Sequence, residues 1–301
     1  MSRIAVTGAG GFVGRGLVPA LRAAGHSVAA LDSRVADVAD PKQVTPDLFA
    51  HTDVVVHLAG LAHREDADAQ ALHAVNAAGA AHVARASAEA RVGRLVLLST
   101  ALVHGNRTHG TPITESSPFA PADAYAESKL AGEDAARGVA TSRGLELCIL
   151  RPPLVHGPGA GGNVARLITW ARRGRPLPGA AWHNRRSMVA RANLAAAIAA
   201  AATHPAAAGR AFLVSDGPPV ATGAFYAALC RALGRAPRRL PIPVAALRTG
   251  LAAAGKGRDL DRLLADFEVD AAAIRAALGW QPPVPWAAAV AESVRTAPAS
   301  G

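Results

Sequence analysis

The sequence predicts an α/β fold, a parallel sheet covered on both faces by helices, followed by a smaller mixed α/β portion. Three observations carry this. Short apolar runs alternate with helical stretches, one run roughly every 25 to 45 residues, over the first half of the chain. The first run ends in a glycine cluster that opens a helical stretch. Beyond about residue 155 the alternation gives way to segments punctuated by Pro and Gly.

RIAVTG (3–8) is a short apolar run ending in glycine, as a buried strand would. FVGRGLVPALRAAG (12–25) has helical periodicity and stops at Gly25, a residue suited to a helix C-terminus. HSVAALD (26–32) reads as the next strand. TDVVVHLAG (52–60), GRLVLLST (93–100) and LELCILRPPLV (145–155) repeat the theme, with helices expected over 66–90 and 124–143. The later segments GPGAGGN (157–163), GRPLPG (174–179), SDGPP (215–219) and LPIP (240–243) break regular structure. We therefore expect a ligand-binding domain over 1–155 and a substrate-binding portion over 156–301, which can interleave with it. No internal repeat stands out.

Composition narrows the functional classes. Of 301 residues, 50% are hydrophobic and 18% charged, which argues against disorder. The formal charge of +10 suits an anionic partner. Lys and Arg do not cluster among aromatics, which are only 4% of the chain, so nucleic acid is not the expected partner. A phosphate-bearing small molecule satisfies the same charge. Cys148 and Cys230 are far apart in sequence and flanked by apolar residues, so buried free thiols are expected and no metal-ligand spacing exists. MSRIAVTG lacks a signal-peptide pattern, and NLAAAIAAAAT (193–203) is too short to span a bilayer. A cytoplasmic protein is the expectation.

VTGAGGFVG (6–14) places glycines at 8, 10, 11 and 14 between a strand and a helix. Gly8 allows a sharp turn out of the strand. Gly10 or Gly11 lets backbone N–H groups approach a pyrophosphate, and Gly14 allows close packing of helix on sheet. The helix N-terminus offers N–H donors and partial positive charge to phosphate. The following strand ends in Asp32, an acid placed to bind both ribose hydroxyls of a dinucleotide. This is a Rossmann-type, doubly wound arrangement. Asp32 would repel a 2′-phosphate, so NAD is expected ahead of NADP. Arg34 is the counter-signal, since it could pair with that phosphate or be an exposed loop charge. Asp37 could accept from the adenine amino group or be a solvated acid.

DAYAESKLAGED (123–134) puts Tyr125 and Lys129 four positions apart, in a chain with only two tyrosines and three lysines. Residues i and i+4 share a helical face. A free phenol, with a pKa near 10, is a poor base. A cation at ~4 Å and an effective dielectric of ~20 is worth roughly 4 kcal/mol, about three pKa units at most. The expectation is that Lys129 and a nicotinamide cation together bring Tyr125 toward working pH.

With TGAGGFVG, VVHLAG (55–60), AVNAAGAAHVARAS (74–87), LSTALVHG (98–105), YAESK (125–129) and RPPLVHGPG (151–159) in this order, the chain resembles an extended short-chain dehydrogenase/reductase of the NAD-dependent epimerase/dehydratase family. NRRSMV (184–189) and LGWQPP (278–283) extend the likeness over nearly the whole chain. The resemblance implies catalytic Thr100, Tyr125 and Lys129. Thr100 would bond the substrate oxygen, with Ser99 as backup; strand alternation lets only one serve. Lys129 would also hold the nicotinamide ribose. A dinucleotide is implied at Gly8, Gly10, Gly11, Phe12, Val13, Gly14, Asp32, Ser33, Arg34, Asp37, Val38, Leu58, Ala59, Gly60, Asn76, Tyr125, Lys129 and Pro152. Asn76 reads equally as a capping or core polar residue.

The family's reactions are epimerisation, ketone reduction, dehydration and decarboxylation. Dehydratases resemble one another in an Asp-Glu pair after the catalytic Thr. Ala101 and Leu102 stand here, which disfavours dehydration, and the decarboxylases' acid is missing too. The substrate implied is a nucleoside-diphosphate sugar held by Thr100, Tyr125, Asn163, Arg186 and Arg262, with Arg185 and Arg258 further candidates that read as readily as surface charges. Arg186 matches the family's diphosphate arginine. Leu154 stands where galactose epimerases carry asparagine, a form that resembles enzymes of UDP-N-acetylhexosamines and their 4-keto derivatives, in polysaccharide precursor synthesis. The reading is a 4-epimerase of UDP-hexose or UDP-N-acetylhexosamine; the alternatives are an NAD(P)H-dependent 4-keto-6-deoxy sugar reductase and a non-catalytic dinucleotide sensor. A homodimer through helices flanking the sheet is implied as well.

Overall fold

A computed structural model of the chain describes residues 1–61, 68–178, 183–240 and 264–295, with positions 242, 246 and 249. Its centre is a parallel sheet. The apolar runs become β1 (Arg3–Thr7), β2 (Ser27–Leu31), β3 (Val54–His57), β4 (Arg94–Leu98) and β5 (Glu146–Arg151). After them come β6 (Leu154–His156), β7 (Leu177–Pro178), β8 (Met188–Ala190), β9 (Ala211–Leu213) and β10 (Arg239–Leu240). Six strands pair in the order β2-β1-β3-β4-β5-β9, every pair parallel. The order reverses at β1, so a crevice opens between the carboxyl ends of β1 and β3, where doubly wound sheets bind ligands. The last strand comes from beyond residue 156.

Each face of the sheet is covered. On one side lie α1 (Gly14–Ala23) and, from the later chain, Arg191–Thr203, whose Leu194 and Ile198 join Val6, Leu17, Leu21 and Phe212 in one core. The alanines of 191–203 are small enough to let that helix seat closely between sheet and α1. On the other side, Gly79–Glu89 and Ala124–Arg143 bury Val83, Ala84, Ala136 and Ala140 against Val55, Leu95 and Ile149. In chain order the helices are α1, α2 (Ala69–His73), α3 (Gly79–Glu89), α4 (Ala124–Arg143), α5 (Gly162–Arg172), α6 (Arg191–Thr203), α7 (Thr222–Ala232), α8 (Ala272–Leu278) and α9 (Trp286–Ser293). A separate core holds the C-terminal part together through Ile168, Met188, Phe225, Leu229 and Val290. Cys148 and Cys230 are buried free thiols.

Two runs expected to be continuous are interrupted. The run 145–155 divides at Pro152–Pro153 into β5 and β6, and β6 pairs with β8 instead of extending the main sheet. Proline offers no N–H to a ladder, so the strand cannot continue there. The helix expected over 66–90 divides into α2, a wide π turn at Ala74–Ala78, and α3. Such wide turns gather at functional sites.

One buried ion pair joins two of these elements and the turn that follows β4. Arg151, at the end of β5, donates to both oxygens of Glu133 on α4 (Nε–Oε1 2.9 Å, Nη2–Oε2 2.5 Å), and both side chains are fully buried. Its Nη1 donates to His104 Nε2 at 3.1 Å. Arginine only donates, so His104 carries its proton on Nδ1, which donates to the Pro118 carbonyl at 3.2 Å. Phe119 lies 4.8 Å from the guanidinium and stacks on His104 at 5.0 Å.

Removing one partner of a buried pair strands a charge, so Glu133→Ala should cost about 3–5 kcal/mol of unfolding free energy in denaturant titrations. The replacement Glu133→Leu with Arg151→Met should cost less than Glu133→Ala alone. Acid should also destabilise the fold. Burial holds His104 below its ordinary value, His57 at about 3 and His156 at about 4. Each stabilises the neutral-pH fold fully above the unfolded value of about 6.5, and the unfolded chain gains protons first as pH falls. Asp216, raised to about 6 chiefly by burial, opposes them. The expected net result is a melting temperature that falls from pH 6.5 toward 4, read by scanning calorimetry.

Candidate active site

The carboxyl ends of β1, β2 and β3 open onto a cleft of about 690 Å³. Gly8, Gly10, Gly11, Asp32, Ser33, Arg34, Asp37, Val38, Ala59 and Gly60 line it. Phe12, Val13 and Gly14 complete the turn into α1, and no side chain caps the start of that helix. Gly8 has φ +69°, and a Cβ there would stand 2.5 Å from the Ala59 nitrogen. Both the left-handed backbone and the closeness of β1 and β3 therefore require glycine. Gly14 works differently from the sequence expectation. The space that its missing side chain leaves is taken by the carbonyls of Gly8 and Ala9, so it lets the turn fold onto its own helix. Leu58 continues β3 into the cleft, its N–H bonded to the Thr7 carbonyl at 3.1 Å.

Asp32 and Arg34 form one unit. The Arg34 backbone N–H and guanidinium both donate to the Asp32 carboxylate, at 3.0 Å and 2.7 Å. These bonds hold the Asp32 carboxyl below its ordinary range, the side-chain bond most of all. Arg34 is an exposed loop charge, 88% open to solvent, and it is paired with the acid. Asp37 accepts from the Ala39 N–H at 3.0 Å through Oδ1.

Thr100 ends the segment after β4, and Tyr125 and Lys129 sit one turn apart on α4. Asp123 caps that helix by accepting from the Ala126 N–H at 2.9 Å, and Gly144 closes it with φ 68°. The structure brings the three together. Tyr125 shares a hydrogen bond with Thr100. Lys129 is buried and its Nζ donates to the Leu98 carbonyl at 2.6 Å. Thr100 Oγ1 also accepts from the Leu102 N–H at 3.2 Å. Ser99 is buried too, but its hydroxyl has no partner among the described residues. The Pro152 carbonyl accepts from the Ala101 N–H at 2.9 Å and so braces the Thr100 turn.

The chain's own groups set the resting state of Tyr125. Tyr125 is pushed up to about 12, first by burial and then by the Asp123 carboxylate; the Thr100 hydrogen bond opposes them and loses. Lys129 is brought down to about 8 by burial, with Glu133 working the other way. The ammonium spends its short hydrogen bond on a carbonyl of β4 and does not offset desolvation of the phenol. The chain's own groups therefore hold Tyr125 neutral at working pH.

Asn76 lies in the π turn and is buried. Its Oδ1 accepts from the Leu61 N–H (2.9 Å), and its Nδ2 donates to the Leu61 carbonyl (3.2 Å) and to Ser128 Oγ (2.9 Å). It pins the exit of β3 to the helix of Tyr125 and Lys129. Two residues without a role in the sequence reading complete this floor. His57 bonds Thr7 Oγ1 at 2.7 Å and is held neutral by burial and by Lys129. Ser128 links Asn76 to α4. No local spacing joins them; only the strand order does.

The other substrate candidates lie elsewhere, in the C-terminal part. Asn163 is exposed on the first turn of α5. Arg186 exchanges backbone bonds with Val220, and its Nη1 donates to the Ala265 carbonyl at 3.0 Å. Burial lowers its pKa. Arg185 is paired with both oxygens of Glu268 at 2.9 Å. Arg258 and Arg262 lie outside the described residues. Among the described residues no cluster of side chains could hold a metal ion, and no helix is long and apolar enough to cross a membrane.

Known proteins match this arrangement. The family model described as "NAD dependent epimerase/dehydratase family" matches residues 4–215. A UDP-glucose 4-epimerase of Vibrio cholerae is 35% identical over 297 residues, covering 93% of this chain and 90% of that protein. A dTDP-4-dehydrorhamnose reductase of Mycolicibacterium smegmatis is 38% identical over 135 residues, covering 44% of this chain and 41% of that one. Among solved structures, the Thermus thermophilus UDP-glucose 4-epimerase complex with NAD superposes with a TM-score of 0.79 at 26% identity, covering 97% of each chain.

Because the chain has only two tyrosines, ultraviolet titration reads them directly. Burial raises both Tyr125 and Tyr226. Cofactor-free protein should show no phenolate absorbance up to about pH 10, where an ordinary tyrosine is half ionised. A phenolate step near neutral pH, lost in Tyr125→Phe, would contradict the burial argument.

Proposed function

The chain belongs to the NAD-dependent epimerase/dehydratase family, and within it we propose that it is an NAD-dependent 4-epimerase of a nucleoside-diphosphate sugar, UDP-hexose or UDP-N-acetylhexosamine. The observation that carries this reading is the meeting of Thr100, Tyr125 and Lys129 beside the glycine-lined cleft, with non-ionisable Ala101 and Leu102 following Thr100. The whole-chain likeness to a UDP-glucose 4-epimerase supports it.

The cleft fits a dinucleotide. Gly8 removes the side chain that would close it, the uncapped start of α1 suits a pyrophosphate, and Asp32 suits ribose hydroxyls. When bound, NAD supplies a hydride acceptor and a positive pyridinium. The protein's part is proton handling and orientation. Tyr125 takes the proton of the sugar 4-hydroxyl as the C4 hydride leaves, which gives a 4-keto sugar. After that sugar turns over, the hydride returns to its other face and Tyr125 gives the proton back. Thr100 steadies the oxygen. Lys129 would add its charge and hold the ribose. Arg186 and Asn163 are assigned to the diphosphate end.

A second reading keeps the residues and uses them in one direction, as an NAD(P)H-dependent reductase of a 4-keto nucleotide sugar. The reductase relative supports it over part of the chain, and Arg34 on Asp32 lessens the carboxylate's repulsion of a 2′-phosphate. One experiment separates the two. Purified protein incubated with UDP-glucose or UDP-N-acetylglucosamine, without added cofactor, should form the C4 epimer by NMR. Stoichiometric oxidation of added NADH or NADPH by a 4-keto sugar nucleotide, with no epimer, would establish the reductase instead. Tyr125→Phe should lower turnover by at least ~10²-fold under either reading. Asp32→Ala should weaken NAD binding while leaving melting nearly unchanged.

A further inference from the structure

We propose that Arg191 is a positioning residue for the dinucleotide: its guanidinium sits over the Phe12 ring and holds the glycine turn that the pyrophosphate would meet. The proposal rests on the reading of the cleft as a dinucleotide site.

Arg191 comes from far along the chain, at the first position of α6. It reaches the turn through a passage that two glycines leave open. At Gly16 a Cβ would stand 3.0 Å from Arg191 Nε, with Cδ and Cγ at 3.2 and 3.3 Å. At Gly157 it would meet Arg191 Cβ at 2.9 Å and Phe12 Cζ at 3.8 Å. The guanidinium then lies 5.4 Å from the centre of the Phe12 ring, within cation–π range. Its Nη1 donates to the Pro158 carbonyl at 2.7 Å, which fixes the head group. The side chain is threaded, stacked and hydrogen-bonded beside an open cavity of about 180 Å³ that it lines.

Charge points the same way. Arg15, on α1, donates through Nη1 to the Gly10 carbonyl at 3.0 Å. Two guanidinium groups therefore flank the 8–14 turn, and Arg15 opposes the charge on Arg191 while Glu292 on α9 supports it. An anion at the turn relieves that repulsion, and the start of α1 adds the helix's positive end. Arg191 acts on the ligand through Phe12, because the ring it covers belongs to the turn whose N–H groups would face phosphate.

The test is a double-mutant cycle on the full chain, freed of retained dinucleotide. Arg191→Met, Phe12→Leu and the double variant are titrated with NAD by calorimetry, with thermal melts alongside. Each single change should weaken binding roughly fivefold, and the double should be little worse than either, because the two side chains act as one. Arg191→Lys, which keeps a cation, should recover part of the loss. Turnover of Arg191→Met at saturating NAD should stay near wild type, so its KM for NAD moves and its kcat does not. Should Arg191→Met fail to fold, Arg191→Lys against Phe12→Leu carries the same cycle. Wild-type affinity in Arg191→Met, independent losses in the double variant, or a fall in kcat at unchanged affinity would each overturn the proposal alone. A wild-type chain that binds neither NAD nor NADP would overturn the dinucleotide reading, and this proposal with it.

Discussion

The geometry of the candidate site depends on a charge that water never sees. Arg151 and Glu133 face each other across the interior, where each alone would be prohibitively expensive to bury. Together they tie β5 to α4, and through His104 they tie both to the turn that follows Thr100. Tyr125 and Lys129 lie on the same helix as Glu133, and Pro152 follows Arg151. A shift of α4 along its axis would pull Glu133 from the two-pronged hydrogen bond with Arg151. The pair thus sets the register of the candidate catalytic helix against β5 by directed bonds, which packing of alanines against a sheet does not supply.

Much of this was legible in the sequence because it is local. A strand, a glycine turn and a helix are consecutive in the chain, so TGAGGFVG announces its own geometry. Tyr125 and Lys129 are one helical turn apart, and Asp32 ends a strand. What stayed hidden is the contact between distant segments. Glu133 and Arg151 could be read only as a helix-surface acid and a basic residue before two prolines, because nothing local says that they meet. His57 and Asn76 were visible as parts of motifs, but their partners Thr7, Ser128 and Leu61 follow from strand order and from a π turn that periodicity cannot register. Arg191 was invisible for the same reason. Its partners are two glycines and an aromatic ring brought to it by the return of the chain.

The expectation for Tyr125 invoked two cations together, Lys129 and a nicotinamide; the chain itself supplies only the first. Burial acts on both groups at once. It disfavours phenolate and ammonium alike, so it raises one pKa and lowers the other, and the lysine turns its hydrogen bond to a backbone carbonyl.

This has a consequence for how such a site can work. A phenol held neutral by its surroundings removes no proton from a sugar hydroxyl that arrives on its own. It becomes basic only when further positive charge enters the same dry space, and there each charge acts with little screening. Under the proposed reading an oxidised dinucleotide would bring a pyridinium, and Lys129, still positive below about pH 8, would add to it. The proton on Tyr125 would then be coupled to the charge of the bound cofactor, a coupling that a reversible oxidation at one carbon needs. Desolvation, a cost for the resting site, would in this way tie the basicity of Tyr125 to the charge that a ligand brings.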